Sequence, residues 1–284
     1  MFKKVLSGAL FLFFISVTMQ SYATVMVGVK GGYFMWRPMM KDTGADWASS
    51  AKNGSGILAG PIISFSLTED LALTFSGLFG NQNSSWDMDT IEGTDNVYAQ
   101  YTWDAKRYDI DTAINYTLTP NIKIFAGYKY QYFNVDFKQF KLAYDSLGCN
   151  WSVIEKVTYK SPTHGPALGV GLASALNETY FITTNISFIY FLQSDIDIKM
   201  DRKEIKNPVE VSKDTESLDF VQYGINFEPS IGAKISEAVI GTLGARVVWT
   251  SYKVKDDHQQ MDLSKGDIWN DYLYGVFVSI VYMM

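Results

Sequence analysis

Apolar and polar residues alternate with a period of two along most of this chain, the pattern of strands whose successive side chains point to opposite faces. From Tyr108 to Gln131 one face carries Tyr108, Ile110, Thr112, Ile114, Tyr116 and Leu118, then, past a turn, Ile122, Ile124, Ala126, Tyr128 and Tyr130. The other face carries Asp109, Asp111, Ala113, Asn115 and Thr117, then Lys123, Phe125, Gly127, Lys129 and Gln131. The alternation predicts about ten strands. This hairpin supplies the fourth and fifth. The others are "TVMVGVKGGYFMW", "ILAGPIISFSL", "LALTFSGLFG", "PALGVGLASAL", "YFITTNISFIYFL", "FVQYGINFEPSIGAKI", "VIGTLGARVVWTSY" and "YLYGVFVSIVYMM".

The connections fall into two kinds. Tight turns are expected near Thr68–Asp70, before Ile122, at Asn177–Glu178 and at Ser236–Glu237. Long polar loops are expected over Lys41–Gly56, "NSSWDMDTIEGTDN", Lys141–Gly165, "KMDRKEIKNPVEVSKDTESLD" and "KVKDDHQQMDLSKGDIWND". Loops of that length are unusual in a compact soluble domain. Short turns at one end and long loops at the other describe an all-β, transmembrane, antiparallel up-and-down barrel of about ten strands, with 8 or 12 reached by one hairpin fewer or more. Both ends of the chain then lie on the short-turn side. A soluble barrel would accept the same alternation with its faces reversed. It would leave the strand lengths, the lopsided loops and the tyrosines at strand ends unexplained.

With the apolar face against lipid, the other face lines the lumen. The expected lumen network is Lys30, Arg107, Asp109, Asp111, Lys123, Lys129, Glu228 and Arg246, with Gln131, Asn185, Gln193 and Asp195 beside it. Folding back across the turns sets Asp111 opposite Lys129 and Glu228 opposite Arg246, cross-strand pairs of opposite sign. Mixed signs favour a plug or a very constricted path over a ring of one sign. Tyr116, Tyr128, Tyr130, Tyr132, Tyr180, Tyr223, Trp249 and Tyr282 are the expected interfacial girdle.

Residues 1–23, "MFKKVLSGALFLFFISVTMQSYA", read as a cleaved signal peptide: a basic start, a short apolar run and a small-x-Ala site. That leaves 24–284 as the barrel and predicts export to a bacterial outer membrane. A net charge of −6 without a basic stripe argues against a nucleic-acid partner. The single cysteine, Cys149, cannot form an internal disulfide.

In its strands and turns the chain resembles Gram-negative outer-membrane β-barrels from Thr24 to Met284. The resemblance implies outer-membrane lipid and the outer-membrane assembly machinery as partners. Such chains usually finish on an aromatic residue, whereas this one ends "SIVYMM", with Tyr282 short of the terminus. The strand count is also similar to that of the omptin proteases, which pair two acidic residues in the second outer loop with an Asp–His pair in the fourth. "WDMD" offers Asp87 and Asp89, but the fourth loop has no histidine and His258 falls in the fifth. Outer-membrane lipases pair His with Ser or an acid. Ser251 with His258, and Ser161 with His164, lie near each other without a nucleophile motif. Two His and one Cys, scattered, make no metal cluster. No catalytic, cofactor-binding or metal residue is therefore assigned.

Tryptophans fall in or beside the long loops, and Trp47, Trp86, Trp151 and Trp269 are candidates for a surface that binds extracellular carbohydrate or protein. The expectation is a non-enzymatic structural or surface-binding barrel with a charge-plugged or very narrow lumen. A porin-like small-solute channel is the first alternative and an outer-membrane hydrolase of omptin or lipase type the second.

Overall fold

The computed structural model describes residues 24–39, 51–92, 95–145, 148–205, 210–256 and 266–284. Eleven strands run through them: β1 (Val25–Arg37), β2 (Gly54–Ser66), β3 (Leu71–Glu92), β4 (Asp95–Thr119), β5 (Ile122–Asp145), β6 (Gly148–Ala175), β7 (Tyr180–Phe191), β8 (Gln193–Ile205), β9 (Glu210–Lys234), β10 (Val239–Val254) and β11 (Ile268–Met283). Every neighbouring pair is antiparallel, and β11 pairs with both β10 and β1, so the sheet closes on itself. Closure removes the exposed edges that an open sheet would carry. The proposed signal peptide lies outside the described residues.

β7 and β8 are one strand of the ring, interrupted by a β-bulge. Opposite β6, Ala167 pairs with Ile189 but His164 pairs with Gln193, three residue steps against four. Opposite β9, Phe191 pairs with Gln222 but Asp195 pairs with Asp219, again four against three. The extra residue turns both Leu192 and Gln193 outward, while Phe191 and Ser194 on either side stay buried. The ring therefore has ten strand positions, as expected. The bulge also corrects one detail: Gln193 and Asp195 do not join the lumen lining.

Most of the long loops are strand. β3 runs on to Glu92 and β4 begins at Asp95, so "NSSWDMDTIE" is paired backbone; β6 begins at Gly148; β8 and β9 continue to Ile205 and from Glu210. The cause is an inversion of polarity along each tall strand. Odd-numbered residues of β4 face inward throughout. Asn115, Asp111, Asp109 and Arg107 are polar, but Ala105, Trp103, Tyr101, Ala99 and Val97, further up, are apolar and buried. The outward residues invert in step, from Tyr116, Ile114, Ile110 and Tyr108 to Lys106, Asp104, Thr102 and Gln100. β5 changes over between Gln131 and Phe133, β9 between Gln222 and Phe220.

The barrel thus has two storeys. The lower one is apolar outside and polar inside; the upper one is polar outside and apolar inside. Around the lower storey large apolar side chains stand exposed in a continuous band: Val29 (64%), Ile114 (52%), Leu168 (64%), Phe188 (51%) and Val278 (58%). Tyr116, Tyr180 and Tyr282 edge this band below, and Tyr33, Tyr108, Tyr130 and Tyr190 above. From Tyr180 to Tyr190 the strand climbs roughly 25 Å at about 3.3 Å per residue and about 40° of tilt.

Candidate functional site

The lower lumen holds most of the charged residues expected there, and its register follows from the turns. The tight turn between β4 and β5 pairs Asp111 with Lys129 directly. The turn between β9 and β10 sets Arg246 against Glu228, bracketed by the pairs Gly244–Ser230 and Val247–Phe227. Lys129 Nζ donates to Asp111 Oδ1 at 2.8 Å, and Arg246 Nη2 donates to Asp111 Oδ2 at 3.2 Å. Arg246 Nε donates to Asn226 Oδ1 at 3.1 Å and lies 3.8 Å from a Glu228 oxygen; Lys30 completes the chain by donating to Glu228. β4 and β10 are equally far apart in either direction around the ring, so the Asp111–Arg246 pair is a strap across the full width of the lumen.

One level up, Arg107 and Asp109 are buried and paired with each other, Arg107 Nε reaching the carboxylate at 3.3 Å. The guanidinium also lies over the Trp36 ring, 5.5 Å from its centroid. Among the described residues its two terminal nitrogens have no hydrogen-bond partner. Asp271, which the sequence reading missed, is buried at this level and accepts a hydrogen bond from Trp36 Nε1. Its signal was parity: Asp271, Leu273, Phe277 and Ser279 share the inward face of β11.

Above them the lumen is filled by aromatic side chains. Trp36 packs edge-on against Trp103 with centroids 5.3 Å apart, and against Phe133 at 5.4 Å. Trp86 stacks on Tyr101 at 5.1 Å, and Phe220 contacts both Tyr252 and Trp269 at 5.7 Å. Tyr159 joins this core from the side, and burial pushes its phenol above the usual tyrosine range. Trp86 and Trp269 therefore do not form an exposed surface: both sit in strands with their indoles inside, because the inverted alternation of the upper storey makes their positions inward. Trp151 is half-buried in β6, and Trp47 lies outside the described residues.

Below the strap a chamber of about 240 Å³ is lined by Lys30, Lys123, Lys129, Arg246, Asp111 and Glu228 among the charged groups. Lys123, unlike the other three cations, makes no ion pair among the described residues. It lines both this chamber and a smaller hollow at the short-turn rim formed by Thr119, Pro120 and Asn121, so it stands at the chamber's mouth.

The acidic and histidine candidates are not assembled. Asp87 and Asp89 are exposed on the outward face of β3, and His258 lies outside the described residues. His164 faces outward beside the bulge, bonded to Tyr128 Oη through Nδ1 and to Gln193 through Nε2. Cys149 falls in the first residues of β6. Among the described residues, no group of three or more His, Cys, Asp or Glu gathers as a metal site.

No protein-family model and no curated protein matches the chain. Among solved structures it is similar to the outer membrane protease OmpT from Escherichia coli, at 13% identity and a TM-score of 0.45, over 92% of this chain and 96% of that one. It is similar to a major outer membrane protein from Thermus thermophilus at 10% identity and a TM-score of 0.36, over 93% of this chain and 100% of that one. A third is the Pseudomonas putida toluene transporter TodX, at 9% identity and a TM-score of 0.35, over 92% of this chain and 89% of that one. The closed antiparallel ring and its apolar outer band are the fold of an up-and-down transmembrane β-barrel.

Proposed function

We propose that the chain is an outer-membrane barrel with a closed lumen, acting as a non-enzymatic structural or surface-binding protein through the storey that stands above the bilayer. The polarity inversion carries this reading. A band of exposed aliphatic and aromatic side chains is stable only in an apolar solvent, and its height of roughly 25 Å matches the hydrocarbon layer crossed by bacterial barrels. The polar exterior and packed interior above it suit water, so the tall strands β3–β6 and β9, and the continuous strand formed by β7 and β8, spend about half their length outside the membrane. Inside, the ionic strap and the aromatic core lie one above the other. A continuous path would have to break both.

Single-channel recording on refolded protein in planar bilayers tests closure, using a preparation whose gel mobility shifts on heating. Silence is expected. Discrete conductance steps that respond to Asp111→Asn would replace this reading with a small-solute channel.

The level of the membrane has its own test. Val278→Arg places a charge at the middle of the exposed band and should cost about 2–4 kcal/mol in lipid vesicles. Asp104→Lys, exposed on the outer face of the upper storey, should stay within about 0.5 kcal/mol of the parent. Equal effects in urea titrations of the two folded barrels would refute the assignment of the band to lipid.

A further inference from the structure

We infer that the chamber in the lower lumen is a binding site for a small oxyanion, of the phosphate or dicarboxylate kind, that enters from the short-turn end. Its single route of entry rests on the closed lumen proposed above, which gives the chamber one mouth. Four cations, Lys30, Lys123, Lys129 and Arg246, line it against two carboxylates, Asp111 and Glu228, an excess of two positive charges. Three of the cations are held by the two carboxylates: Lys129 by Asp111, Lys30 by Glu228 and Arg246 by both. Among the described residues Lys123 alone of the four has no carboxylate within ion-pair distance, though the Glu228 charge still acts on it. A half-buried ammonium in such a place has three donors to satisfy and only part of its surface open to water.

The rest of the lining suits the same guest. Asn185, Asn226, Ser76 and Ser187 add amide and hydroxyl groups around the space. Gly171 faces the Lys123 stem and the Asn185 side chain so closely that a Cβ there would run into both. The missing side chain is what lets Lys123 lie along the wall at the mouth. An oxyanion bound between Lys123 and Arg246 would neutralise the excess charge, and charge-assisted hydrogen bonds from lysine and arginine are the stronger kind.

The test is isothermal titration of the refolded full chain in detergent with inorganic phosphate and, separately, succinate, chloride being used to match ionic strength. Saturable binding of at least one is expected, and the two arms show which geometry the chamber prefers. Lys123→Gln should weaken binding about tenfold, Lys123→Arg should largely preserve it, and Lys138→Gln on the exposed outer face should leave it unchanged. If Lys123→Gln does not refold, Asn185→Asp, which adds a carboxylate to the lining, should weaken binding instead. Absence of saturable binding by either anion overturns the inference, as does equal weakening by Lys123→Gln and Lys138→Gln. A barrel that binds phosphate yet conducts would remove the closed-lumen reading and leave the site standing. A silent barrel that binds nothing would do the reverse.

Discussion

Replacing Arg246 by methionine is expected to destabilise the barrel by about 3–5 kcal/mol, among the largest effects of any single change in the lumen. Methionine keeps much of the aliphatic stem, so the loss isolates the guanidinium. Arg246 is 3% exposed and holds Asp111, Glu228 and Asn226 at once. Without it Asp111 and Glu228, on opposite walls, keep only Lys129 and Lys30 as ion-pair partners, each fixed on its own side. Removing one partner of a buried network costs more than the network itself contributes, because the remaining charges keep their desolvation penalty. The triple change Arg246→Met, Asp111→Asn, Lys129→Met removes the whole strap and leaves Lys30 paired with Glu228, so it should recover a good part of the loss. Removing Lys199 from the exposed Lys199–Asp201 pair should cost less than about 1 kcal/mol. Urea unfolding of the refolded barrels in vesicles measures all three. A loss below about 1 kcal/mol for Arg246→Met would show that the strap is solvated and contributes little.

The lower storey was legible in the sequence because lipid imposes a single rule on it, apolar outward at every second residue. The rule predicted the ring of ten positions, the short turns and the Asp111–Lys129 and Glu228–Arg246 registers. The upper storey was read as loop for the same reason. On β4 the apolar parity passes from even to odd at Arg107–Tyr108, so an alternation followed upward from Ile114 breaks off where it has only changed sign. "YAQYTWDAKRY" still alternates, with Ala99, Tyr101, Trp103 and Ala105 as its apolar set. The bulge at Leu192 hid the continuation of β7 into β8 in a different way, since one inserted residue shifts every later side chain to the other face. A strand carrying Asp195, Asp197 and Lys199 on its new outer face then resembles a charged loop. Tryptophans near polar residues were assigned to a surface because composition does not record direction. Trp86 and Trp269 follow the inverted parity into the core.

The second large effect is expected in that core. Trp103→Ala should cost about 3–5 kcal/mol, the range for deleting a buried aromatic side chain. Trp103 is 1% exposed, sits edge-on to Trp36, and is covered on its far side by Gly54 at the start of β2. A Cβ at Gly54 would lie far inside van der Waals contact with Trp103 Cη2, so the two positions compete for one space. This makes the cost separable into transfer and cavity. Gly54→Leu alone should be as damaging as the alanine change, because paired backbone in β2 cannot retreat from the ring. Combined with Trp103→Ala, the leucine grows into the vacated volume, and the double variant should be clearly more stable than the sum of the single losses allows. Trp103→Phe should lie between, since it keeps most of the ring and removes an indole N–H that has no acceptor among the described residues. Denaturant titrations of the four proteins give the coupling directly. Strict additivity would mean that Trp103 and Gly54 do not share a cavity, and the packed core above the strap would lose its main support.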